Sequence, residues 1–170
     1  MPRCVCGGCA LPDLVEKLSI KLHGLGLMVV TAESCTGGMI GAALTNRAGS
    51  SEIFESGFIT YSNQAKQDML GVPAATLRDH GAVSADTAVA MARGALAHSH
   101  AELAVAVTGI AGPGGGSDEK PVGTVFIAYG MRSDTIHCSE HHFTGDRASV
   151  RQQTVTAALQ HLLTYVSNIA

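Results

Sequence analysis

Short runs of small apolar residues alternate along this chain with segments of helical periodicity, and that alternation restricts the fold more than any other feature. The runs at 27–32, 57–61 and 103–107 are too short to be helices, and each gives way to a polar corner. Between them lie helical patterns. One covers 12–25, with Leu11, Val15, Leu18 and Leu22 in register. A second carries Ile40, Ala43 and Leu44, a third covers 64–70 behind the caps Ser62 and Asn63, and a fourth covers 84–97 behind Ser84. Two more strands, 123–129 and 135–143, follow in succession around a turn at 132–134. Asp146 then starts a last helix in which Val155, Ala158, Leu159, Leu162, Leu163 and Val166 keep the clearest period in the chain. Strands that alternate with helices and then come in a pair predict an α/β fold: three α/β/α layers around a mixed central sheet. With 170 residues, no internal repeat and no linker, 11–170 reads as a single domain.

Composition removes several classes of function. The chain is 46% hydrophobic and 15% charged, which excludes intrinsic disorder. No apolar run approaches the ~18 residues of a membrane span. Eleven Lys and Arg against fourteen Asp and Glu give a net charge of −3, so no nucleic-acid partner is expected, although a few local cations could hold a small anion. Of five cysteines, Cys4, Cys6 and Cys9 cluster at the start, while Cys35 and Cys138 stand alone. A zinc site ordinarily needs a second such cluster. Residues 1–10 therefore read as a flexible Cys-rich leader, with metal binding as the alternative. The start lacks the apolar core of a secretory signal, and reduced thiols fit a cytoplasmic location. The eight histidines form no evident ligand set; His141 and His142, adjacent in a strand, point to opposite faces. Neither metal nor cofactor is expected.

In sheets of this kind ligands bind beyond the carboxyl ends of the strands. The first such corner, Thr31-Ala32-Glu33-Ser34-Cys35-Thr36-Gly37-Gly38, places a hydroxyl beside flexible backbone and a helix N-terminus, which suits a nucleophile next to an oxyanion hole. The same residues also read as ordinary capping by Ser34 or Thr36. In the second corner, counting Asn63 as N-cap puts Lys66 at the third helical position, where the positive end of the helix dipole lowers its pKa. A lysine base needs such lowering, because the free side chain titrates near ~10.4; a solvated surface lysine is the alternative. Cys35 is a rival nucleophile, without a histidine in either corner to activate it. The glycine-rich loop at 109–117 matches neither a Walker loop nor a dinucleotide fingerprint. It could cradle a phosphate or ribose, or simply be a surface loop. Arg147, in the first turn of the last helix, could grip a phosphate, or pair with Asp146 or Glu140.

Taken together, TAESCTGG (31–38), GFITYSNQAK (57–66), GAVS (81–84), TGIAGPGGG (108–116), KPVGTV (120–125) and FTGDR (143–147) resemble the CinA C-terminal domain family in order and spacing. The likeness runs from about Leu11 to the end. The stand-alone members, PncC-type enzymes, hydrolyse nicotinamide mononucleotide (NMN) to nicotinate mononucleotide and ammonia without a metal. The resemblance implies Ser34 as nucleophile, Lys66 as its base, and Tyr61 close by, orienting the lysine or relaying a proton. It puts the backbone donors Cys35, Thr36, Gly37 and Gly38 around the oxyanion. Thr108, Gly109, Gly112 and Arg147 fall on the substrate side, with Arg147 toward the phosphate. Longer members carry a further pyrophosphatase-type domain, for which 170 residues leave no room. The expected partner is a small nucleotide, with neither nucleic acid nor membrane. A homo-oligomer is also expected, the alanine-rich helix 84–97 offering a smooth face to a second copy. A non-catalytic nucleotide- or phosphate-binding module and an amidase for another carboxamide are the competing readings.

Overall fold

The computed structural model describes residues 10–169, so Cys4, Cys6, Cys9 and nearly all of the expected leader lie outside the described residues. The elements run α1 (Leu11–Leu25), β1 (Val29–Glu33), α2 (Met39–Thr45), a short 3-10 turn (Ser50–Glu52), β2 (Phe54–Ile59), α3 (Asn63–Leu70), α4 (Ala74–His80), α5 (Ala85–Ala97), β3 (Leu103–Gly109), β4 (Thr124–Met131), β5 (His137–His142) and α6 (Arg147–Asn168). The strands form one sheet in the order β2-β1-β3-β4-β5. β2, β1 and β3 are parallel, whereas β4 and β5 join antiparallel. This is the mixed α/β sheet that the alternation of elements predicts.

Side-chain size explains the two faces. Along β3, Leu103, Val105 and Val107 pack with Leu14, Leu18 and Leu22 of α1 and Val155, Leu159 and Leu162 of α6. Burying each such side chain contributes about 1.5–3 kcal/mol. On the opposite face Ala104 and Ala106 meet Ala88, Met91, Ala92 and Ala95 of α5, where small groups on both surfaces let the helix lie close to the sheet. Ala88, Ala92 and Ala95 thus face the sheet, while Ala85 and Ala97 stay exposed on the outer side of α5. α5 also touches α3 nearly backbone to backbone, since a Cβ on Gly94 would sit 2.0 Å from the Leu70 carbonyl oxygen. That contact seats the helix bearing Lys66.

Besides shifts of one or two residues at the ends of β3, β4 and β5, three departures from the sequence expectation matter for the site. β2 starts at Phe54 and ends at Ile59, so Thr60 and Tyr61 have left the strand. As the sheet's edge strand β2 is only half buried, and its polar Glu55 and Ser56 hide it from an apolar-run criterion. β1 extends to Glu33, an acidic residue that is nonetheless buried. α4 occupies a stretch with no expected helix, because Pro73, which stops α3, also stands as the N-cap of α4. Among the described residues no helix is long and apolar enough to cross a membrane.

Candidate active site

Because β2, β1 and β3 are parallel, the corners that follow them share one edge of the sheet. The ladders continue one residue past the strands: the Ser34 N–H donates to the Val107 carbonyl at 3.0 Å, and the Thr60 N–H to the Glu33 carbonyl at 2.9 Å. Ser34 is thereby pinned between its neighbours, with its side chain nearly buried.

The turn that follows is organised by Glu33. Its Oε2 accepts from the Thr36 hydroxyl at 2.7 Å and from the Gly38 and Ile40 amides at 3.0 Å each, while Oε1 accepts from the Gly41 amide at 2.9 Å. A carboxylate at a helix N-terminus satisfies donors that would otherwise be orphaned. The anion site expected at the start of α2 is thus filled from within the chain, and neither Ser34 nor Thr36 is needed as a cap. The expected oxyanion donors are corrected accordingly: Gly38 N–H is committed to Glu33, and Gly37 N–H donates to the Ser34 carbonyl at 3.2 Å. Gly37 and Gly38, at φ +60° and +98°, give the backbone the left-handed bend this turn requires. Among the described residues the Thr36 amide has no hydrogen-bond partner, and the Cys35 amide has none beyond its own thiol. From α6, Arg151 donates Nε to the Cys35 carbonyl at 3.1 Å and Nη2 to the Thr36 carbonyl at 2.9 Å.

Opposite this turn stands Lys66. Ser62 is the N-cap of α3, accepting from the Ala65 amide at 3.0 Å, so Lys66 is the fourth helical residue rather than the third. Its side chain is 1% exposed. Nζ lies 3.0 Å from Ser34 Oγ and donates to the Thr60 carbonyl at 2.8 Å, with the Tyr61 carbonyl at 3.5 Å. Among the described residues no carboxylate pairs with it. Burial lowers its pKa. Burial has the reverse effect on the neighbouring Cys35 thiol, raising it to about 11. The thiol therefore stays protonated near neutrality, a poor nucleophile that brings the lysine no counter-charge.

The substrate-side residues divide. Arg147 pairs with neither Asp146 nor Glu140; Nη1 donates to the Gly112 carbonyl at 2.9 Å and Nη2 to the Tyr61 hydroxyl at 2.7 Å. The Tyr61 phenol thus engages the arginine, and what Tyr61 presents to the lysine is its main-chain carbonyl. Thr108 is buried, donating its hydroxyl to the Ala82 carbonyl at 2.7 Å. Gly109 ends β3 packed against Val125. Thr108 and Lys120, which donates to the carbonyls of Val83 at 2.7 Å and His80 at 3.1 Å, hold segment 80–83 in place. Among the described residues no three His, Cys, Asp or Glu side chains group as metal ligands. His141 and His161 do meet Nε2 to Nε2 at 3.0 Å, a pairing their sequence separation conceals.

Sequence reasoning passed over Glu33 and Arg151. Both left a signal: an acidic residue closing an apolar run, and a second arginine one helical turn after Arg147.

A family model for the CinA C-terminal domain matches residues 12–166. The nicotinamide-nucleotide amidohydrolase PncC of Escherichia coli strain K12 is 49% identical over 152 residues, 89% of this chain and 92% of that protein. A putative competence-damage inducible protein of Caldicellulosiruptor bescii is 53% identical over 136 residues. That match takes in 80% of this chain but only 33% of the longer protein. The crystal structure of competence/damage inducible protein CihA from Agrobacterium tumefaciens superposes with a TM-score of 0.88 at 51% identity, covering 91% of this chain and 94% of that one.

Proposed function

Because the chain belongs to the CinA C-terminal domain family, we infer that it is a nicotinamide-nucleotide amidohydrolase, converting NMN and water to nicotinate mononucleotide and ammonia. One observation carries the mechanism: Lys66 Nζ lies 3.0 Å from Ser34 Oγ in a buried setting. A neutral amine has two N–H donors and one lone pair. The carbonyls of Thr60 and Tyr61 take the donors, leaving the lone pair for the serine proton.

Ser34 Oγ attacks the carboxamide carbon as Lys66 takes its proton, and the carbonyl oxygen becomes an oxyanion facing the amides of Cys35 and Thr36. Such a donor is typically worth about 3–4 kcal/mol. The ammonium of Lys66 returns its proton to the leaving nitrogen, so ammonia departs and an ester to Ser34 remains. Water attacks that ester with Lys66 again as base, which releases the acid and regenerates the serine. Arg147 supplies the cation for the phosphate, exchanging its hydrogen bond to the Tyr61 hydroxyl for a bidentate contact. The reaction belongs to the cytoplasm, a compartment suited to the free thiols Cys35 and Cys138.

The test is ammonia release from NMN in chelator-treated buffer, with Ser34→Ala and Lys66→Ala as controls. Release by the parent and none by either variant is expected. Equal release by Ser34→Ala would overturn the mechanism, and binding of NMN without release would favour a non-catalytic module.

A further inference from the structure

We propose that Arg151 is a positioning residue which, by holding the carbonyls of Cys35 and Thr36, aims the Thr36 N–H at the oxyanion formed when Ser34 attacks. The proposal rests on the reading of this chain as a Ser34–Lys66 amidohydrolase. In a planar trans peptide the C=O and N–H point in opposite directions. Arg151 Nε draws the Cys35 carbonyl toward α6 at 3.1 Å, so the Thr36 N–H of the same peptide unit faces away from α6. Nη2 draws the Thr36 carbonyl at 2.9 Å, and the Gly37 N–H of that unit accordingly turns back to the Ser34 carbonyl.

Apart from the Cys35 amide, the other backbone donors of the turn are already engaged. Ser34 N–H is bound to Val107, Gly37 N–H to Ser34, and Gly38 N–H to Glu33. The orientation of the peptide between Cys35 and Thr36 therefore decides whether a second amide joins that of Cys35. Arg151 has a firm base for this task. Val150 and Thr154 are 0% exposed and Val155 1%, so the first turns of α6 are fixed against the sheet. A guanidinium bound to a carbonyl also polarises that peptide unit, which makes its N–H a stronger donor. Arg147, one turn earlier, has its own partners at Gly112 and Tyr61, so the two arginines divide the work.

The experiment compares steady-state ammonia release from NMN by the parent, Arg151→Ala and Arg151→Lys, with and without added guanidinium. For Arg151→Ala we expect kcat to fall about 10²-fold, the loss typical of one oxyanion donor, with little change in KM. Guanidinium should restore roughly tenfold of that rate, because it can occupy the vacated place, whereas a purely structural staple gains nothing from a mild denaturant. An unchanged kcat, a rise confined to KM, or a fall without rescue would each overturn the proposal. If Arg151→Ala fails to fold, Arg151→Lys decides: one ammonium cannot hold both carbonyls, so kcat should drop roughly tenfold at constant KM. An unchanged kcat in that variant overturns the idea. Should the parent release no ammonia from NMN, the substrate assignment fails separately. Arg151 is then judged by the rate at which a fluorophosphonate labels Ser34, a reaction that builds charge in the same hole. Slower labelling of the variants supports the proposal, and equal labelling overturns it.

Discussion

The corners after β1 and β2 each bury an ionisable side chain to 1% exposure, and they treat it in opposite ways. Glu33 receives four hydrogen bonds, from one hydroxyl and three amides. Lys66 meets two carbonyls and a serine hydroxyl, with no opposite charge among the described residues. A buried charge is tolerable when its hydrogen-bonding capacity is filled and otherwise strongly disfavoured. The first corner is therefore built to be rigid. The second disfavours the extra proton on the amine, because burial penalises the charged form. The difference is between a buried group that holds the turn and a buried group that, in the proposed mechanism, reacts across it.

The largest expected effect tests the reacting side. Ser34→Ala and Lys66→Ala should each lower kcat for ammonia release by about 10⁴-fold or more. Retention of a tenth of the parent rate in either would remove the chemical half of the contrast. On the rigid side, Glu33→Ala strands three amides and the Thr36 hydroxyl, for an expected loss of about 3–5 kcal/mol in calorimetric stability. A loss below about 1 kcal/mol would mean the two corners are not so different after all.

Stability against pH sharpens the comparison further. The lysine pKa is lowered on folding, so between its folded value and 10.5 the unfolded chain binds more protons and the parent gains stability as pH rises. Lys66→Met lacks that gain. It should melt no lower than the parent at neutral pH, with its advantage largest at low pH and shrinking toward 10.5. A clearly lower melting temperature for Lys66→Met near neutrality would show that the lysine stabilises the fold as Glu33 does. The smallest effect concerns the helix that carries the lysine. Ser62→Ala removes the acceptor for the Ala65 amide and should cost about 1 kcal/mol, measured by denaturant titration.

How much of this was legible beforehand follows from the physics of each signal. Periodicity reports burial along one element, so the layers, the parallel corners and the closing helix could be read from apolar spacing. Ser34 and Lys66 were identifiable as corner residues, and the resemblance paired them. Their contact could not be read, because it depends on how α3 is seated, which the close approach of Gly94 in α5 to Leu70 of α3 sets. Glu33 was obscured because a carboxylate at a strand end ordinarily signals exposure. Its burial becomes intelligible only once the donors of α2 are seen to converge on it. The resemblance puts Tyr61 beside the lysine, but with Thr60 and Tyr61 outside the strand the phenol meets Arg147 instead. Alanine content in α5 does not by itself tell which of its faces packs on the sheet; Ala88, Ala92 and Ala95 do so because β3 presents Ala104 and Ala106 there.

The central claim is that the resting enzyme holds Lys66 as a neutral amine beside Ser34. Its most direct test is an NMR titration of the Lys66 side chain in ¹³C-lysine-labelled protein, assigned by its absence in Lys66→Met. The account predicts a midpoint well below 10.5 that coincides with the pH at which kcat rises. A side chain that keeps its proton throughout the range in which ammonia is released would contradict it.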